Sequence, residues 1–185
     1  MNNRFEYFLN ATHYCLWLGH IKFGSTVRCI VNIMFSPIPK YCFTAEYKKK
    51  FYKHKAKQQT EINKFLYDKK TGHHITHTNH CFGYLYSCYP GFFSFILGGI
   101  AIKEIVYLNV FLCTIIYAIP VGIGYIPAYK AVFANDRYLK YFKQFEKEDE
   151  QWHRKWKRIT IFFCIGAIVS SVLGICAAFA IAILL

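Results

Sequence analysis

Residues 72–81 hold the densest set of groups able to do chemistry. They read Gly-His-His-Ile-Thr-His-Thr-Asn-His-Cys and contain four of the eight histidines. On a helix His73, His77 and His80 share a face. Imidazoles at that spacing, together with the Cys81 thiolate, form a donor set suited to Zn²⁺. No carboxylate lies inside the stretch to orient an imidazole, and Thr76, Thr78 and Asn79 favour a loop. The reading is a solvated histidine loop beside a membrane. No cofactor is expected, and His73, His77, His80 and Cys81 are the candidate ligands should a metal bind.

Little else in the chain suits catalysis. A histidine-based oxidation centre needs several separate boxes, and His13, His20, His54 and His153 do not form them. No phosphate-cradling glycine loop, nucleophile elbow or HExxH motif occurs. Glu146, Glu148, Asp149 and Glu150 read as an exposed charged stretch rather than a buried acid pair. The eight cysteines contain no CxxC and no paired spacing, so no disulfide is expected.

The elements that must position these residues follow from charge. The chain has 185 residues, 55% of them hydrophobic and 18% charged, with a net charge of +13. Its 18 Phe, 15 Tyr and 3 Trp exclude a disordered chain. Residues 1–80 carry 13 basic and 4 acidic side chains, and residues 130–158 carry 9 and 5. Between them, residues 81–129 hold only Lys103 and Glu104, and residues 159–185 hold no charge. Such blocks indicate a bilayer protein.

The 27 uncharged residues Ile159–Leu185 would span about 40 Å as a helix, against about 20 residues needed to cross. Cys81–Tyr129 has the length of two crossings. The predicted hairpin runs out over about 84–101, turns at Lys103-Glu104 and returns over about 105–126, with Pro120 kinking the second helix and Pro127 helping to end it. Tyr14–Leu18 is too short for a secretory signal core, so the hairpin itself should direct insertion. Basic residues flank the hairpin on both sides, which puts both blocks and the N-terminus in the cytoplasm. The C-terminus then lies on the opposite side of an inner or plasma membrane.

The expected fold is therefore an all-α integral membrane protein with three transmembrane helices, the hairpin plus a C-terminal helix, and amphipathic cytoplasmic helices. Its regions are a basic aromatic-rich cytoplasmic or interfacial region (1–80), a hairpin (81–129), an amphipathic cytoplasmic helix (130–158) and a final transmembrane helix (159–185). Within the first, residues 4–36 should lie in the interface plane, as a helix closed near Gly19 and a second apolar run, Val27–Phe35. Residues 44–70 read as an amphipathic helix with Tyr47, Phe51, Ile62 and Phe65 on one face. Its Lys48, Lys49, Lys50, Lys53, Lys55 and Lys57 should attract anionic headgroups. Nucleic acid, the rival ligand of a lysine-rich helix, is disfavoured by the adjoining membrane segments. The 130–158 helix should run straight into the last crossing, with Trp152 and Trp156 as headgroup anchors.

In the final helix Gly166, Ser170, Gly174, Ala178 and Ala182 recur every four residues, a stripe that permits close helix packing. It could dock on the hairpin, whose Gly91, Ser94 and Gly98 offer a small surface, or on a second copy. Function is read as a non-enzymatic interaction or scaffold protein with membrane lipids, a membrane protein or a second copy as partners. The alternatives are a small channel, holin-like or transport-accessory protein, and a metal-dependent membrane enzyme using the His73–His80 cluster.

Overall fold

The computed structural model describes residues 3–35, 44–104 and 109–184. Among these residues every regular element is a helix: α1 (Asn3–Phe35), α2 (Ala45–Tyr67), α3 (His73–Glu104), α4 (Val110–Val132), a 3-10 turn (Ala134–Asp136), α5 (Arg137–Phe145) and α6 (Glu150–Leu184). Three stretches are long and apolar enough to cross a membrane, His73–Glu104, Val110–Phe145 and Glu150–Ile183. The chain divides into two compact units, one of Met1–Cys15 with His80–Leu185, the other of Leu16–Asn79.

In the first unit α3, α4 and α6 approach closely where side chains are small. A methyl group at Gly99 of α3 would lie 2.7 Å from the Ala178 carbonyl oxygen of α6, so only hydrogen fits there. Tyr89 of α3 donates its hydroxyl hydrogen to the Phe163 carbonyl of α6 (2.7 Å), and Ser94 donates to the Tyr117 carbonyl of α4 (3.0 Å). That second bond falls beside Pro120, whose ring interrupts the helical ladder.

The expected single helix over 130–158 is instead broken twice. After α4 the chain turns through Asn135 and Asp136, both left-handed (φ 57° and 53°). Asn and Asp tolerate that conformation better than most residues. The second break follows α5, where Asp149 caps α6 by accepting from the Trp152 amide (2.7 Å), a stronger local signal than the apolar periodicity running through it. Helix α5 buries Tyr138, Phe142 and Phe145 at steps of four and three. Helix α4 runs on through Pro127 to Val132 and starts at Val110; the expected turn is helical through Glu104, and residues 105–108 lie outside the described residues.

The second unit consists of the later part of α1, α2 and the first residues of α3. Helix α1 does not close at Gly19 but continues through Gly24, where an added methyl group would come 2.6 Å from the His74 ring. Asp68 organises the turn into α3 by accepting from the Lys70 amide (2.9 Å) and the Thr71 hydroxyl (2.6 Å). These bonds, the Thr71 hydroxyl first, hold its carboxyl below the usual carboxylate range. Gly72 follows because a methyl group there would collide with the Asp68 carbonyl oxygen.

Candidate functional site

The expected histidine loop is the first two turns of α3. Its hydroxyls do not oppose the helix, because each bonds back one turn, Thr76 to the Gly72 carbonyl (3.1 Å) and Thr78 to the His74 carbonyl (2.7 Å). The helical register sets His73 and His77 parallel, with ring centres 6.5 Å apart. The closer neighbour of His77 comes from α1: His20 meets it edge-on at 4.6 Å. Burial, then the charges of His77 and His74, push the His20 imidazole below its ordinary value. Among the described residues, no three His, Cys, Asp or Glu side chains converge where a metal ion could be held. The structure thus pairs His77 with His20 and gathers no ligand set from His73, His77, His80 and Cys81.

Helix α2 carries seven lysines against Glu46 and Glu61. Lys49, Lys50, Lys53, Lys55 and Lys57 are exposed and Lys48 is half-buried. The side of α2 that meets α1 is polar: Arg28 donates to the Asn63 side-chain oxygen (2.6 Å) and Lys55 to that of Asn32 (3.3 Å). Arg28 also sits over the Tyr67 ring at 5.6 Å. Trp152 and Trp156, expected as headgroup anchors, are half-buried in an aromatic cluster of the first unit. Trp152 stacks on Phe145 at 4.8 Å and donates its indole hydrogen to the Tyr7 hydroxyl (2.8 Å). Trp156 packs edge-on against Tyr7 at 5.6 Å.

The small-residue stripe of α6 faces α3. A methyl group at Gly174 would lie 2.9 Å from Phe95 and 3.2 Å from the Phe92 backbone, and one at Gly166 would lie 2.8 Å from the Tyr89 hydroxyl. Gly174 is buried, and Gly166, Ser170, Ala178 and Ala182 are half-buried. The partners differ from Gly91, Ser94 and Gly98. Gly91 has nothing within 4 Å of an added methyl group, and Gly98 faces Tyr117 of α4, as Ser94 does. Gly99 meets α6 instead.

Sequence reasoning missed a buried polar set on α1. Asn10, Thr12 and His13 are fully buried. Asn10 donates to the carbonyls of Glu6 (2.8 Å) and Ala131 (3.0 Å), the latter in the last turn of α4, where carbonyls lack helical partners. The His13 ring is enclosed by Phe82, Phe133, Tyr138 and Phe142, with centres 5.3–5.6 Å away. The only sequence signal was polar residues interrupting the apolar side of an amphipathic helix. Beside this set, burial pushes the Cys15 thiol up to about 11. Burial first, then Glu146, pushes the Tyr14 phenol up to about 12. Both hold their protons at neutral pH, the opposite of an activated nucleophile.

Comparison with protein-family models, with curated proteins and with solved structures gives no match.

Proposed function

We propose that the protein is an integral membrane protein of three crossings that acts as a non-enzymatic scaffold, through contacts with lipid and with membrane partners. The observation that carries this reading is where the long apolar helices put their side chains. Val110, Phe111, Ile123, Ile165, Ile168 and Ile183 are exposed, while Gly98, Gly99, Gly174, Tyr89 and Ser94 lie at the contacts between these helices. Water penalises an apolar surface of that extent. In lipid the large side chains meet acyl chains, and small residues bring the helices together. The outward faces are then available to a second copy or another membrane protein.

The charge blocks supply the orientation. Residues 1–80 and 130–158 would lie in the cytoplasm of an inner or plasma membrane and the C-terminus on the far side. The basic layer, with Lys48–Lys57 and the exposed edges of Trp152 and Trp156, would meet lipid headgroups. The test is alkaline extraction of membranes together with reporter fusions at Lys103 and Leu185. The protein should remain with the membrane pellet, and both fusions should report the non-cytoplasmic side. Release into the alkaline supernatant or a cytoplasmic signal at Leu185 would overturn the three-crossing reading. Dye release from reconstituted vesicles would favour the channel alternative over the scaffold.

A further inference from the structure

We infer that the second unit is an interfacial wedge, in which α2 and the later part of α1 together bed into an anionic bilayer surface. The inference rests on the membrane reading above and names the lipid class that this region meets. Its basis is an inverted arrangement of side chains. The two helices are joined by polar groups, Arg28 with Asn63 and Lys55 with Asn32, with the Tyr67 ring beneath Arg28, and both also turn large apolar side chains outward. On α2 these are Tyr47, Ile62 and Phe65, which are 57%, 48% and 63% exposed. On α1, Phe23, Val27, Ile30 and Met34 recur at steps of four, three and four, with Phe23 71% and Met34 67% exposed.

Lysines flank the apolar face of α2, Lys48 on one side and Lys50, Lys57 and Lys64 on the other. Their aliphatic stems can lie along the apolar surface while the ammonium groups reach outward. That is the side-chain pattern of a helix lying flat at a headgroup–acyl boundary. The surplus of positive charge selects anionic headgroups. A second copy of this chain is a poorer occupant, because facing the same surfaces would set lysines against lysines. Nucleic acid would engage the lysines and leave both apolar faces in water.

The test uses the full chain in nanodiscs of phosphatidylcholine alone or with one-third phosphatidylglycerol, read by hydroxyl-radical footprinting with mass spectrometry. Oxidation of Phe23, Met34, Tyr47 and Phe65 should fall by about five-fold in the anionic discs. A variant with Lys48, Lys49, Lys50, Lys53 and Lys57 all changed to Gln, which spares the Lys55–Asn32 contact, should lose that protection. Equal oxidation in the two discs overturns the inference, as does protection that survives the lysine changes. So does protection that appears only with an added RNA oligonucleotide, or only in a dimeric species. Alkaline extraction of the membranes from which the protein is purified keeps the two readings apart, since the protein can remain integral while the footprint is unchanged.

Discussion

The contact between α3 and α6 makes a sharp prediction at Gly99. A methyl group there would lie 2.7 Å from the Ala178 carbonyl oxygen and 2.8 Å from its α-carbon. Ordinary carbon contacts lie at about 3.5–4.0 Å, so Gly99→Ala forces the helices apart by roughly 0.7–1 Å. A gap of that size forfeits about a quarter to a half of the dispersion energy of the lining contacts, and overpacking of this kind costs about 1–3 kcal/mol. Alanine also favours helix over glycine, by up to about 1 kcal/mol. That gain must be removed by comparison. Gly91 and Gly122 are the reference sites, since an added methyl group meets nothing within 4 Å at either. In a denaturation series in mild detergent, Gly99→Ala should therefore unfold about 1–3 kcal/mol more easily than Gly91→Ala or Gly122→Ala. Adding Ala178→Gly should not restore stability, because the atoms in the way belong to the backbone. If Gly99→Ala falls within about 0.5 kcal/mol of the reference variants, the close approach of α3 and α6 is wrong.

Two further outcomes follow from the turn chemistry and the histidines. Because burial lowers the His20 pKa in the folded protein, the unfolded chain binds the extra proton first. Stability of the second unit should hold above the ordinary imidazole value of about 6.5 and fall as pH drops below it. His73, His74, His77, Arg28 and Lys69 add to the positive surroundings in that unit. Protection factors for hydrogen exchange over residues 16–35, corrected for the intrinsic pH dependence of exchange, should fall between pH 7.5 and 5.5, and His20→Gln should flatten that fall; an unchanged profile in the variant would exclude His20 as the source. At the corner after α4, Asn135 adopts φ 57°, so Asn135→Gly should keep or raise stability in the same denaturation assay. Asn135→Val should lower it by about 1–2 kcal/mol.

The apolar helices were legible because length and charge alone decide whether a segment suits a bilayer, and Cys81–Tyr129 and Ile159–Leu185 need no partner to declare themselves. The breaks were less legible. Asp149 looked like one member of an acidic run, yet it is the residue whose side chain reaches the Trp152 amide, so it ends one helix and begins another. Glu6 stands three residues after Asn3, the spacing of a capping box, but its carboxylate accepts from Arg137 (3.2 Å) and Tyr141 (3.3 Å). Those partners lie more than a hundred residues along the chain, beyond the reach of any local pattern.

The histidines show the same limit from the other side. Their spacing on α3 was readable, and the helical face joining His73 to His77 followed from it. What decides their chemistry is His20, carried in by a helix that continues past Gly19 although glycine often ends one. Gly24, one turn beyond His20, leaves room for the His74 ring, whereas an added methyl group at Gly19 would meet nothing within 4 Å. The small-residue stripe of α6 was expected to meet Gly91, Ser94 and Gly98 of the hairpin. Gly91, Ser94 and Gly98 share the composition of a packing surface, but Ser94 and Gly98 face Tyr117 of α4 and Gly91 leaves open space where a methyl group would go. Spacing along one helix determines which residues share a face; the rotation of the neighbouring helix determines which of its glycines that face meets, and in this chain that is Gly99.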